Sequence, residues 1–159
     1  HKKILMADLK LLFESLGFEK VATYIQSGNV VFGTENEINL AAKITNAIEV
    51  KYGYKVSVLV KKASELDKIL LKSPFFDEKL KKSYFILLEE KPSLEHIALT
   101  TTFSNSNEEF YITENCVYIY YAQGAGKAKL GNNFFEKKLN VSATARNYNT
   151  IVKLIELSA

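Results

Sequence analysis

Phe110-Tyr111-Ile112-Thr113-Glu114-Asn115-Cys116-Val117-Tyr118-Ile119-Tyr120-Tyr121 is the stretch on which the fold turns. Two runs rich in β-branched and aromatic residues flank a polar Glu-Asn pair, and this pattern predicts a hairpin. Upstream, Tyr84-Phe85-Ile86-Leu87-Leu88 reads as a buried strand, and Pro92-Ser93 opens a helix carrying Leu94, Ile97 and Ala98. Downstream, a helix over residues 132–139 turns Phe134, Phe135 and Leu139 inward. A strand at 141–146 and a last helix at 150–157 follow. The predicted order is therefore strand, helix, two strands, helix, strand, with a terminal helix.

Residues before this stretch give a similar series. Met6, Leu9, Leu12, Phe13 and Leu16 recur at helical spacing and end at Gly17. Val21-Ala22-Thr23-Tyr24-Ile25-Gln26 and Asn29-Val30-Val31-Phe32 flank Ser27-Gly28, a second predicted hairpin. Thr34 with Glu37 fits a capping box before a helix burying Leu40, Ala41, Ile44, Ala47 and Ile48, with Gly53 past its end. Residues 55–60 alternate as a strand, and Ser64 with Asp67 opens a short helix that Pro74 ends. This is the later series without its first strand, and the chain begins at His1-Lys2-Lys3 rather than methionine, so a leading strand is expected upstream. The expected fold is α+β: duplicated ferredoxin-like (split βαβ) halves with antiparallel sheets, the first lacking its N-terminal strand, plus a C-terminal helix. The halves are expected at 1–80 and 81–159, divided at the polar, lysine-rich residues 77–82.

Composition narrows the function classes. With 159 residues, 47% hydrophobic and 25% charged, the chain is of ordinary globular type. No apolar run approaches the roughly 18 residues of a membrane helix, so no membrane association is expected. The single cysteine, Cys116, excludes an intramolecular disulfide and a thiolate zinc cluster, which suits a reducing cytoplasm. Two histidines, His1 and His96, exclude a histidine-rich metal centre, and no cofactor signature is present. A net charge of +3 is too small to announce nucleic-acid binding by itself.

Arg146 is the most informative single residue, being the only arginine among 21 basic residues. A site that needs a planar, bidentate, permanently charged fork does not accept lysine. Arg146 stands at a predicted strand end beside Thr144, Asn147, Asn149 and Thr150. It reads either as an anion grip or as a structural tie, with Asn149 capping the last helix. Gly124-Ala125-Gly126-Lys127 lies between a strand and a helix, where backbone N–H groups can cradle phosphate. As a Walker loop it lacks the first glycine (Tyr121) and the magnesium-binding hydroxyl (Ala128), so a plain connection explains it as well. Lys127 and Lys129 would supplement Arg146 if their loop and the last strand end meet at one sheet edge.

Gln26-Ser27-Gly28-Asn29 is a hairpin tip or a polar recognition loop. Tyr24, Tyr118 and Tyr120 share a strand face, either for base stacking or for packing between halves. Cys116 within a strand reads as a small buried hydrophobe and His96 as a satisfied surface histidine. Glu89-Glu90 and Glu108-Glu109 read as solvated charge, and neither Ser27 nor Ser142 has a histidine in a plausible triad.

Tyr24-Ile25-Gln26-Ser27-Gly28-Asn29-Val30-Val31-Phe32 and Ala143-Thr144-Ala145-Arg146-Asn147-Tyr148-Asn149-Thr150 resemble two signature stretches of the bacterial family catalogued as domain of unknown function 1697 (DUF1697). Lys127-Ala128-Lys129-Leu130, with Phe134-Phe135-Glu136-Lys137-Lys138-Leu139, is similar to its third recurring segment, and Met6-Ala7-Asp8-Leu9 to the start of its first helix. The resemblance implies a leading strand with an Arg-Gly-Ile-Asn-Val-Gly-Gly motif, absent here. Tyr148 stands where the family often has tryptophan, and Ala128 where a serine is common. It also implies a bacterial, cytoplasmic setting, and it implies no reaction.

The leading expectation is a cytoplasmic binding protein for an anionic or phosphorylated small molecule. Arg146 would grip the anion, with Thr144, Asn147, Asn149, Ser27 and Asn29 as polar company and Lys127 or Lys129 as added charge. The alternatives are a weak single-stranded nucleic-acid binder using Tyr24, Tyr118 and Tyr120, or an enzyme whose site needs an upstream segment.

Overall fold

Helix α1 (Met6–Ser15) buries Leu9, Leu12 and Phe13 because three- and four-residue spacing returns to one helical face. It stops where Gly17 takes a left-handed φ of 89°. Gly17 N–H bonds the Glu14 carbonyl and Phe18 N–H bonds the Phe13 carbonyl, the paired bonds of a Schellman close. The Phe13 and Phe18 rings then meet edge to face at 5.7 Å. The computed structural model describes residues 4–26 and 28–159, with seven α-helices and six strands among them. The chain divides into two units, His1–Ala63 with Lys153–Ala159, and Ser64–Val152.

In the first unit, β1 (Glu19–Tyr24) and β2 (Asn29–Gly33) form an antiparallel two-stranded sheet. Helix α2 (Leu40–Tyr52) adds Ile44 and Ile48 to a core containing Leu9, Leu12, Phe13, Phe18 and Val21. The Thr34–Glu37 capping box does not form: the Thr34 hydroxyl bonds Asn36, Glu37 pairs with Lys62 at 3.2 Å, and the helix starts later, after a left-handed Asn39. Residues 55–60 keep the expected alternation, with Val56, Val58 and Val60 against the core, yet they join no ladder among the described residues. The first unit therefore does not repeat the second strand for strand.

The second unit carries the predicted series. After α3 (Ala63–Leu71) and α4 (Asp77–Lys81) come β3 (Tyr84–Leu88), α5 (Leu94–Thr101), β4 (Glu108–Ile112), β5 (Cys116–Tyr121), α6 (Asn132–Leu139) and β6 (Ala143–Asn147). Helix α7 (Tyr148–Leu157) starts in this unit, and its residues from Lys153 belong to the first. The sheet order is β4-β5-β3-β6 with every pair antiparallel, so β5 splits the β3-α5-β4 unit.

Both faces of this sheet are covered. Ile86, Leu88, Val117, Ile119 and Ala143 pack with Phe135 and Leu139 of α6 on one face, where Ile97 of α5 joins them. On the other face the Tyr118 hydroxyl donates to the Ile69 carbonyl of α3 at 2.7 Å, and Phe75 meets Tyr111 and Tyr120. Those contacts lie within the second unit, which runs from Ser64 and so takes in residues 64–80 of the expected first half.

Candidate functional site

At the β6–α7 corner, strand alternation sends Ala143 and Ala145 into the α5/α6 core and turns Thr144 and Arg146 to the opposite face. Arg146 is half-buried opposite Phe85, and burial pulls its guanidinium pKa down. Its Nη1 donates to the Ala145 carbonyl at 2.8 Å. The helix cap is Asn147 and not the expected Asn149: Asn147 Oδ1 accepts the Thr150 N–H at 2.9 Å, while Asn149 is exposed on the first turn. The helix starts two residues earlier than expected, at Tyr148, so the last strand residue is also the N-cap.

Lys127 and Lys129 stand elsewhere. Both are exposed and line a cavity of about 270 Å³ with Asn105, Ser106, Asn107, Glu108, Tyr121, Gln123 and Gly124. The segment begins with Gly124 at φ 86° and a single 3-10 turn over Ala125–Lys127. Glu108, 9% exposed, sits on the α5/α6 face of β4 and accepts the Lys129 and Leu130 N–H groups at 2.7 Å each, one per carboxylate oxygen. The Tyr121 hydroxyl donates to the Leu130 carbonyl at 2.9 Å, and Leu130 is buried in that core.

The cavity borders β4 and β5, whereas Arg146 lies on β6, and β4 and β6 are the two edges of this sheet. Three ladder steps separate the edges, about 14 Å at ordinary strand spacing. Glu108 and Arg146 also project from opposite faces. The expected meeting of these lysines with Arg146 at one sheet edge does not occur.

The remaining candidates fall as follows. Ser27 lies outside the described residues. Asn29, expected in a recognition loop, is buried in its own unit, and its Nδ2 donates to the Tyr24 carbonyl at 3.2 Å across the hairpin. Tyr118 is 2% exposed and bonded through its hydroxyl, so it offers no stacking surface; burial raises its phenol pKa. Cys116 is buried, and His96 bonds the Ser93 hydroxyl at the exposed start of α5. Glu108-Glu109 is not a solvated pair. Glu109, on the other face from Glu108, pairs with Lys79 and accepts the Tyr111 hydroxyl, and these bonds hold its carboxyl below the usual range. Lys79 also lies over the Phe75 and Tyr120 rings, at 5.5 and 5.2 Å from their centroids.

Residues 1–118 match the family described as protein of unknown function DUF1697. The chain belongs to the DUF1697 family. The matched span includes the helix-start and hairpin motifs, and the segments at 127–139 and 143–150 lie beyond it. No curated protein matches this DUF1697 chain. Among solved structures, it is similar to the conserved bacterial protein SP0830 from Streptococcus pneumoniae, at 21% identity and a TM-score of 0.75 over 98% of this chain and 89% of that one. That likeness establishes a shared α+β fold.

In this DUF1697 chain no helix among the described residues is long and apolar enough to cross a membrane. Of the cavity lining, the sequence reading passed over Asn105, Ser106, Asn107 and Gln123, took Glu108 for solvated charge, and met Tyr121 only in place of a Walker glycine. The available signal was Asn105-Ser106-Asn107, a polar turn directly before a β run, with Glu108 on the inward register of Phe110 and Ile112. An acid on an inward register requires partners, and here they are backbone N–H groups.

Proposed function

We propose that the protein binds a small anionic ligand, a phosphate-bearing metabolite without an aromatic ring, in the cavity carrying Lys127 and Lys129. The observation that supports this reading is the gathering of two lysines, three side-chain amides and Ser106 around one cavity. Lysine ammonium groups suit phosphate as point charges, and carboxamides suit hydroxyl or phosphate oxygens. The one aromatic residue in the lining, Tyr121, is buried, with its ring 5.6 Å from that of Tyr84, which disfavours a nucleobase. A cytoplasmic setting belongs to the same proposal, supported by a lone cysteine kept buried as a thiol.

The test is an NMR titration of the native protein with inorganic phosphate and glycerol phosphate at low ionic strength, where exposed charges are least screened. Amides at 105–108 and 121–129 are expected to shift. The Lys127→Gln/Lys129→Gln variant should bind about tenfold more weakly, a change of about 1.4 kcal/mol, whereas Arg146→Lys should bind as native. Loss of binding in Arg146→Lys with retention in the double variant would move the site to the β6–α7 corner. No shift with either probe would end the anion reading.

A further inference from the structure

We infer that Glu108 is the positioning residue of the lysine cavity: its buried carboxylate sets the course of the segment that presents Lys127 and Lys129. This rests on the anion-binding reading for its consequence, but not for its structural content. Glu108 is the first residue of β4, paired with Tyr121 at the end of β5, so its backbone belongs to the rigid sheet. Its two carboxylate oxygens accept two successive N–H groups, those of Lys129 and Leu130, at 2.7 Å each. The Tyr121 hydroxyl holds the Leu130 carbonyl from the neighbouring strand at 2.9 Å. Three bonds from two sheet residues thus converge on residues 129–130.

The approach to Glu108 is itself constrained. Glu108 N–H bonds the Asn105 carbonyl, the Asn105 side chain accepts the Asn107 N–H at 2.9 Å, and Ala122 N–H bonds the Asn107 carbonyl. Both walls of the cavity, 105–108 and 121–130, are therefore tied to the same sheet corner. A carboxylate is needed for this. Glutamine offers one acceptor oxygen and an NH2 group, and the NH2 would face a backbone N–H with no acceptor between them.

Charge alone and positioning predict opposite outcomes, which makes the inference testable. Glu108 brings a negative charge to a cavity proposed to hold an anion, so by Coulomb's law its neutralisation would tighten anion binding. If its role is to hold the lysine segment, neutralisation weakens binding, because the ammonium groups no longer converge. The experiment compares native protein with Glu108→Gln by amide hydrogen exchange and by titration with inorganic phosphate.

The expected results are protected Lys129 and Leu130 amides in the native protein and exchange at least about tenfold faster in the variant. The Val117 and Ile119 amides should be little changed, and phosphate binding should weaken about three- to tenfold. Fast exchange of both amides in the native protein overturns the inference without any variant, which covers the case in which Glu108→Gln does not fold. Unchanged or tighter phosphate binding in a loosened variant also overturns it, leaving Glu108 as a stabilising residue only. If the native protein binds no phosphate, the functional reading fails by itself, and exchange at Lys129 and Leu130 still decides whether Glu108 holds the segment.

Discussion

Two segments of the second unit, residues 122–131 and 143–150, each bring positive charge to a passage from strand to helix, but they use their polar groups in opposite ways. At 143–150 the side chains serve the nearby backbone: Asn147 caps α7, and Arg146 bonds the carbonyl of its own neighbour. At 122–131 the backbone is served from another strand, by Glu108, and the Lys127 and Lys129 side chains line a cavity instead. The chain's single arginine thus occupies a structurally engaged corner, while two of its many lysines gather at an opening. Rarity shows that a residue's geometry is demanding; it does not show that the demand comes from a ligand.

The largest expected effect concerns the support of the lysine segment. Glu108→Ala leaves two inward N–H groups without their carboxylate and should destabilise the protein by about 2–4 kcal/mol, read from urea unfolding. A loss below about 0.5 kcal/mol, the level of a neutral surface change, would mean that Leu130 packing and the Tyr121 hydroxyl hold the segment without Glu108.

Next comes the cap at the other segment. Asn147→Ala should lose about 1 kcal/mol as the Thr150 N–H gives up its acceptor, with phosphate affinity unchanged. A drop in affinity with unaltered stability would reverse the assignment of that side chain from cap to ligand contact.

The smallest effect separates Glu109 from its neighbour Glu108. The hydrogen bond from Lys79, then that from Tyr111, depresses the Glu109 pKa. A depressed carboxyl contributes stability above its unfolded pKa, near 4.3 for model glutamate, and loses it as pH falls through the lower folded value. Melting temperatures of native protein and Glu109→Gln should therefore differ slightly at neutral pH and converge under acid. The pair is about two-fifths exposed on each side, so solvent limits the effect. Parallel curves at all pH values would remove Glu109 from the acid limb.

Local signals were legible where local physics decides. Gly17 and Gly53 end their helices as read, because positive φ is inexpensive only for glycine. The β3 to β6 series followed from alternation and spacing, since burial on two faces makes β5 almost continuously apolar. The Thr34–Glu37 motif failed because a capping box needs its backbone to enter the helix at Thr34, and the chain entered at Leu40. Residues 55–60 kept a strand's burial pattern without a strand's partner, because period-two burial needs a core on one side but no neighbour on the other.

The candidate site was legible only in pieces. Lys127 and Lys129 were visible as cations in a glycine-containing connection, whereas their company was not, because Asn105, Ser106 and Asn107 reach the cavity through a hairpin and not through nearness in sequence. By itself the sequence determined the family, the α+β class, the glycine-closed ends of α1 and α2, and the strand series of the second unit; the last two are set by bonding and burial within a few residues. Only the tertiary structure decided that Arg146 and the two lysines belong to opposite edges of one sheet, and that Glu108 is turned inward to hold a backbone segment 21 and 22 residues away. Strand order and side-chain partners across such separations depend on how distant elements pack, and no local pattern carries that information.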